Sequence, residues 1–231
     1  MINILMNFRE GDNHMEFIRD RVAPTATVYG VVLNDSASAR ALGDIDAAPY
    51  KGAPRAPVLY IKPVGTRVGD GATVRLPQDA TEVEVGATIG LVLGRAAARL
   101  APGDALDFVS GVVLAADLSL PHASYYRPAI REKCFDGALP VGDVLPPCDL
   151  SRLELGIEID GKPVDGWSLS TLLRDPARLL ADVTGFMTLY AGDVLLVGVR
   201  YDAPRARIGS QVRVWAPGLG SLAFTIEGDA R

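Results

Sequence analysis

The chain has 231 residues, of which 48% are hydrophobic and 22% are charged, proportions close to the average of soluble globular proteins. Its net charge of −5 argues against nucleic-acid binding, which needs a concentrated positive surface, and its two cysteines are too few for a disulfide scaffold. No apolar run approaches the roughly 18 residues of a membrane-spanning helix, so we expect a cytoplasmic protein without nucleic-acid or membrane partners.

Turn-forming residues are abundant. The 24 glycines and 16 prolines exceed the usual share and favour a β-rich fold over a helical bundle. Residues 1–23 fit poorly with the sequence that follows and are interpreted as an N-terminal extension. Because no linker of distinct composition interrupts residues 24–231, they are predicted to form a single domain.

Apolar and β-branched runs predict that strands dominate the secondary structure. In chain order they lie at residues 25–33, 58–61, 68–77, 83–93, 111–117, 192–198, 212–215 and 222–226. Alternating apolar and polar residues around Asp160-Gly161-Lys162 predict a β-hairpin at 153–165. A helix is predicted at residues 176–188, where five apolar side chains share one face: Leu179, Leu180, Val183, Phe186 and Met187. A short helix is predicted at residues 101–109, and residues 117–142 are predicted to be loop-like.

The densest cluster of chemically reactive side chains follows the apolar strand at 111–117. Its members are Asp117, Ser119, His122, Tyr125, Tyr126, Arg127, Arg131 and Lys133. Loops at strand ends carry functional sites because the sheet holds them in place. Aspartate can hold a hard cation, histidine can move a proton near neutral pH, and arginine or lysine can bind a carboxylate. The alternative is an ordinary polar surface loop.

The same segment carries a resemblance to a known family. Tyr125-Tyr-Arg-Pro-Ala-Ile-Arg-Glu-Lys-Cys-Phe-Asp-Gly, preceded by Ala116-Asp117-Leu-Ser119, resembles the fumarylacetoacetate hydrolase family and, within it, the isomerase/decarboxylases of homoprotocatechuate (4-hydroxyphenylacetate) degradation. Tyr60-Ile-Lys-Pro and Gly192-Asp-Val-Leu-Leu-Val-Gly support the resemblance, which covers about residues 25–215. It implies a β-rich α+β fold, the multilayered β-roll of this family.

The resemblance also implies a divalent cation, usually Mg²⁺, held between a Glu-x-Glu pair and a later aspartate. Asp117 matches the aspartate, but Gly86 and Thr88 occupy the two glutamate positions. A competing register would use Glu82 and Glu84 instead. Because two carboxylates are lost in the first register, which we prefer, we expect the metal to bind weakly or not at all.

The remaining roles follow from the resemblance. His122 is the candidate proton carrier, and Lys133 is both a catalytic and a substrate-binding candidate. Substrate carboxylates would be bound by Tyr125, Tyr126, Arg127, Arg131 and Lys133. The implied activity is that of an isomerase/decarboxylase, or a subunit of one, that acts on 2-oxo and 2-hydroxy di- and tricarboxylates.

Two alternatives remain open at this point. The chain could be a catalytically silent structural subunit that supports a metal-bearing partner, or an acylpyruvate-type C–C bond hydrolase. We expect it to pair with a second copy or with another family member, because the family builds its pocket beside a subunit contact. The apolar faces of the strand near residues 85–93 would also need covering.

Overall fold

The computed structural model describes residues 21–41, 54–122 and 129–229. Within these ranges the chain forms thirteen strands and three α-helices. The strands are β1 (Val28–Val32), β2 (Val58–Lys62), β3 (Arg67–Val68), β4 (Ala72–Leu76), β5 (Glu82–Leu93), β6 (Val109–Ser119), β7 (Leu139–Leu145), β8 (Glu154–Ile159), β9 (Lys162–Ser168), β10 (Val194–Leu196), β11 (Arg205–Arg207), β12 (Gln211–Ala216) and β13 (Gly220–Gly228). The helices are α1 (Ser36–Ala41), α2 (Ile130–Lys133) and α3 (Pro176–Thr184). None of the helices in this part of the chain is long and apolar enough to cross a membrane.

The strands form two curled sheets, which confirms the predicted β-rich α+β fold of the β-roll type. The larger sheet has the order β2-β1-β10-β5-β6-β7-β3, with β11 also paired to β5. The smaller sheet has the order β4-β13-β12-β8-β9. The pairs β1–β10, β3–β7 and β4–β13 are parallel.

The centre of the fold is the long antiparallel pair of β5 and β6, which matches Glu84 with Ser119 at one end and Leu93 with Val109 at the other. Every residue from 85 to 93 is buried within this chain. The smaller sheet covers part of β5, and the indole nitrogen of Trp167 donates a hydrogen bond of 3.1 Å to the Ala87 carbonyl. Because these faces are already buried within the chain, they give no separate reason to expect a partner chain.

The hairpin predicted around Asp160-Gly161-Lys162 is confirmed as β8 and β9. Asp160 and Gly161 both have positive φ angles, 53° and 74°, as a two-residue type I′ turn requires. The turn could therefore be predicted from the sequence, because only a few residue types adopt these angles without strain.

The helical predictions need correction. Helix α3 begins after Asp175, whose side chain accepts a hydrogen bond from the Arg178 amide, but it ends at Thr184 rather than at residue 188. Phe186, predicted on the buried face, is exposed. The short helix predicted at 101–109 is only a 3₁₀ turn at Ala105–Phe108.

The stretch at 117–142 is less irregular than predicted, since it contains α2 and the start of β7. Strand β7 was missed because Pro140 and Gly142 interrupt its apolar residues, and both residue types usually mark the end of a strand. These two elements flank the end of β6, where the clustered polar side chains lie.

Candidate active site

Asp117 lies at the centre of a buried cluster near the end of β6. Its Oδ1 is 2.8 Å from Lys62 Nζ, and neither side chain is exposed to solvent. Its Oδ2 is 3.2 Å from Lys133 Nζ and also accepts a hydrogen bond from the Tyr60 hydroxyl. The carboxylate therefore interacts with two ammonium groups and one phenol, but the hydrogen bonds from described residues go to Oδ2, and Oδ1 has an ion-pair contact alone.

The curl of the larger sheet makes these contacts possible. Tyr60 and Lys62 belong to β2 at one edge of that sheet, and β1, β10 and β5 separate β2 from β6. The Lys62 ammonium nevertheless donates hydrogen bonds to the Leu118 carbonyl on β6 at 3.0 Å and to the Ala138 carbonyl at 3.0 Å. The edge strand thus returns to the end of β6 and closes the sheet around Asp117.

Tyr60 can lie across the neighbouring strand because the residue opposite it is a glycine. Gly30 on β1 is the register partner of Tyr60, and a Cβ at position 30 would lie 2.1 Å from Tyr60 Cζ. A side chain there would push the ring away. Gly30 is therefore a positioning residue for the phenol that contacts Asp117.

The two lysines differ in their surroundings. Besides the carbonyls of Leu118 and Ala138, Lys62 Nζ donates to the Lys133 carbonyl at 2.6 Å, and with Asp117 it has four oxygen neighbours. Lys133 Nζ lies 4.7 Å from the centre of the Tyr60 ring, a cation–π contact. Its side chain is 8% exposed.

These contacts shift the pKa values of the cluster. Burial opposes ionisation of Asp117, but the Lys133 and Lys62 ammonium groups and the hydrogen bonds from Lys62 and Tyr60 outweigh it and lower the pKa to about 2. Burial lowers the pKa of Lys62, and the neighbouring Asp117 charge opposes that shift. Burial and the Asp117 charge together raise the pKa of Tyr60 well above its usual value. With both lysines protonated, the cluster carries one net positive charge.

The positions aligned with the family's glutamates lie beside this cluster but do not form a metal site. Gly86 is directly opposite Asp117 in the β5–β6 pair, and Thr88 is opposite Ala115. A Cβ on Gly86 would lie 2.5 Å from Val199 Cγ1 and 3.0 Å from the Asp117 carbonyl oxygen. The buried Thr88 hydroxyl donates to the Gly198 carbonyl at 2.6 Å.

The alternative pair of glutamates is already neutralised. Arg205 on β11 contacts Glu82 at 2.9 Å and Glu84 at 3.2 Å. Burial raises the pKa of Glu84, although Arg205 and nearby His122 oppose that shift. Across the described ranges no group of three His, Cys, Asp or Glu residues could hold a metal ion. The residues present do not fit a divalent cation, so no step of the chemistry is assigned to one.

The other site residues proposed from the sequence do not all lie beside Asp117. His122 Nδ1 lies 3.1 Å from the Leu120 carbonyl oxygen and 3.5 Å from Ser119 Oγ, just beyond the end of β6. Arg131 is more than half exposed and forms an ion pair with Asp79, so its guanidinium is directed to the surface rather than to Asp117. The predictions for Tyr125, Tyr126 and Arg127 lie outside the described residues.

Sequence reasoning missed Tyr60 and Lys62 as members of the site and used them only as signs of resemblance. A signal was available, because residues two apart on a strand project to the same side. A lysine at the end of an apolar strand, just before a proline, is also unusual. Because lysine is almost never fully buried without a partner, its position there indicates a buried partner. The cluster that the structure brings together is thus Tyr60, Lys62, Asp117 and Lys133.

Comparison with known proteins gives consistent results. The family model described as Fumarylacetoacetate (FAA) hydrolase C-terminal matches residues 27–227. The 4-hydroxyphenylacetate degradation bifunctional isomerase/decarboxylase of Escherichia coli is 37% identical over 201 residues, which cover 85% of this chain and 46% of that protein. A mitochondrial oxaloacetate tautomerase of Arabidopsis thaliana is 25% identical over 182 residues, covering 75% of this chain and 82% of the relative. The chain spans about half the length of the bifunctional relatives it matches.

Solved structures agree on the fold. The 5-carboxymethyl-2-hydroxymuconate delta-isomerase of Mycobacterium smegmatis superimposes with a TM-score of 0.75 at 27% identity, over 88% of this chain and 77% of that chain. A fumarylpyruvate hydrolase of Pseudomonas aeruginosa, solved with Mn²⁺ and pyruvate, has a TM-score of 0.72 over 88% of this chain and 90% of that chain. At 20% identity the latter supports the fold alone.

Proposed function

Because the chain belongs to the fumarylacetoacetate hydrolase family, we propose that it is an isomerase/decarboxylase of 4-hydroxyphenylacetate degradation, or a subunit of one. Its substrates would be 2-oxo and 2-hydroxy di- and tricarboxylates. The similarity to the bifunctional relatives over 85% of the chain supports this class of reaction. The isomerase from Mycobacterium smegmatis supports it independently, from structure.

The observation that carries the proposal is the buried cluster in which two lysine side chains, Lys62 and Lys133, contact the single carboxylate of Asp117. Substrates of this class carry two or three carboxylates, and loss of CO₂ or of a proton beside a 2-oxo group produces a dienolate. A fixed positive charge stabilises the developing oxyanion without having to reorient during the reaction. Lys133 is suited to this role because its side chain keeps 8% exposure, whereas that of Lys62 has none.

The proton transfers would be carried by His122. In the decarboxylation the C–CO₂ bond breaks, its electron pair enters the dienolate, and a proton added to the enolate oxygen gives the 2-hydroxy diene. In the isomerisation the 2-hydroxy group of the diene loses its proton to give the same dienolate, and a proton is then added to carbon to give the 2-oxo product. Histidine suits both steps because its ordinary pKa lies near neutral pH, and the Leu120 carbonyl beside Nδ1 helps to orient the ring.

The test is a turnover assay on 5-oxopent-3-ene-1,2,5-tricarboxylate, monitored by CO₂ release and by absorbance of the diene product. We expect the wild-type chain to release CO₂, and His122→Gln to lower kcat by about 10²–10⁴-fold, the usual contribution of a general acid–base residue. Lys162→Gln, which removes an exposed positive charge from the distant hairpin, is the matched control. Cleavage of the substrate into two carbon-containing products without release of CO₂ would instead indicate a C–C bond hydrolase.

A second candidate is a catalytically silent subunit that supports a metal-bearing partner. The presence of Gly86 and Thr88 at the glutamate positions favours it, as does the match to only about half of the bifunctional relatives.

In either case we propose that the chain pairs with a second copy or with another family member. Several large apolar side chains near the cluster are exposed, Ile61, Val64 and Ile130 among them. Sedimentation at tens of micromolar should give the mass of a dimer, and a monomer would contradict homodimer formation.

A further inference from the structure

We propose that Lys133 binds the carboxylate of the ligand directly, with no divalent cation between protein and ligand, while Lys62 stays paired with Asp117. The ligand class rests on the proposed function. The absence of a metal bridge rests on the contacts around Asp117, Gly86 and Thr88.

Each oxygen of the Asp117 carboxylate already has an ammonium neighbour, although Oδ1 accepts no hydrogen bond from a described residue. Lys62 contacts Oδ1, while Lys133 and Tyr60 both contact Oδ2. A divalent cation that used this carboxylate would have to displace an ammonium group and then remain beside two positive charges. Repulsion between like charges is strong in a buried environment, so the lysines oppose metal binding at a carboxylate that has lost its two glutamate neighbours.

The space for further metal ligands is also closed. Val199 packs against the Cα of Gly86 so tightly that even a Cβ on Gly86 would meet two of its side-chain atoms below 3 Å. The Thr88 hydroxyl is committed to the Gly198 carbonyl and holds that segment against β5. An apolar branched side chain and a backbone hydrogen bond therefore occupy the position where carboxylates would have to stand.

Only one of the two lysines can receive a ligand. Lys62 has four oxygen neighbours, within 3.0 Å of its ammonium group, and no solvent exposure. Lys133 makes one hydrogen bond to a described residue, with Asp117, and its ammonium group has three donors. Its side chain keeps 8% exposure. An incoming carboxylate can therefore bind Lys133 while Lys62 continues to neutralise Asp117.

The experiment compares 2-oxoglutarate, which can chelate a metal through its 2-oxo acid group, with glutarate, which lacks that group. Both are titrated into the full chain by calorimetry, once with EDTA and once with Mn²⁺. We expect both ligands to bind with similar affinity under both conditions. Lys133→Gln should weaken binding by about ten- to a hundredfold, the loss expected for a charged hydrogen bond, while Lys162→Gln leaves it unchanged. If Lys133→Gln fails to fold, Lys133→Arg, which keeps the charge, should retain metal-independent binding.

Three results would overturn the inference. The first is a tenfold or greater preference for 2-oxoglutarate that appears only with Mn²⁺. The second is binding of Mn²⁺ alone, detected by electron paramagnetic resonance and lost in Asp117→Asn. The third is the absence of any dicarboxylate binding at millimolar concentration. Turnover that requires Mg²⁺ would refute this inference and leave the proposed function intact. Metal-independent binding without turnover would support this inference and contradict the proposed enzymatic function.

Discussion

Lys62 and Asp117 form an ion pair of 2.8 Å in which neither side chain is exposed to solvent. The pair joins the edge strand β2 to the end of β6, although three strands separate them in the sheet. The same contact therefore closes the curled sheet and sets the charge of the candidate site. The ion pair is therefore part of both the fold and the candidate site.

Removing the lysine should destabilise the protein strongly. Lys62→Met leaves Asp117 with a single ammonium partner and removes a donor from three buried carbonyls, of which that of Ala138 keeps the Leu118 amide. We expect the free energy of unfolding in urea to fall by about 3–5 kcal/mol, as when one member of a buried ion pair is deleted. Lys162→Met, at an exposed position, should change it by less than about 0.5 kcal/mol. A loss equally small at position 62 would contradict the structural role of the ion pair.

The stability of the chain should depend on pH through Asp117. Its pKa is about 2 in the folded chain, against an ordinary value of 3.8, so the unfolded state binds more protons between these values. The contribution is fully present above about pH 4 and is lost as the pH falls through 2, a change of about 2 kcal/mol. Asp117→Asn lacks this contribution.

The measurement for this prediction is the free energy of unfolding of wild type and Asp117→Asn across that acid range. The difference between the two proteins should shrink as the pH falls, because the wild type alone loses the stabilisation from the Asp117 charge. Comparing the two proteins cancels the contributions of the other carboxylates. A difference that stays constant from about pH 5 to pH 2 would mean that Asp117 is not held ionised by the lysines.

The position of Tyr60 should depend on the absence of a side chain at position 30. In Gly30→Ala the new Cβ would lie 2.1 Å from Tyr60 Cζ, so the ring must leave Asp117. We expect a loss of about 1–3 kcal/mol in the free energy of unfolding, the usual range for overpacking, together with a change in the near-ultraviolet signal of tyrosine. Gly103→Ala, which nothing approaches within 4 Å, is the matched control.

Repeating the substitution in a Tyr60→Ala protein distinguishes a clash with the tyrosine ring from a general effect of Gly30→Ala on the backbone. If the clash with the ring is the cause, Gly30→Ala should cost little in a Tyr60→Ala protein. An equal cost in both backgrounds would assign the effect to β1 itself and remove Gly30 from the list of positioning residues.

Much of the fold could be predicted because its signals are local. The Asp160-Gly161 turn and the apolar run of β5 are each specified by neighbouring residues. The ends of the elements could not be predicted so well. Phe186 continues the apolar pattern of α3, yet it lies beyond the helix and is exposed, because the chain leaves the helix after Thr184.

The site could be predicted only in part, for a different reason. Asp117 and Lys133 are separated by 16 residues, and both fall within one dense polar segment. Lys62 lies more than 50 residues earlier on another strand, and its contact with Asp117 depends on the curl of the whole sheet. The role of Val199 could not be inferred from sequence either, because its proximity to Gly86 is a tertiary contact.

That last contact gives a final prediction. In Gly86→Ala the new Cβ would lie 2.5 Å from Val199 Cγ1 and 3.0 Å from the Asp117 carbonyl. We expect the free energy of unfolding to fall by about 1–3 kcal/mol. In a Val199→Ala background both γ-methyl groups are gone, so the same substitution should cost distinctly less. The coupling measured by this double-mutant cycle should be about 0.5–3 kcal/mol, as for residues in contact. Additive losses would mean that the cost arises from the Asp117 carbonyl or from β5 itself, and Val199 could then no longer be said to fill the space beside Asp117.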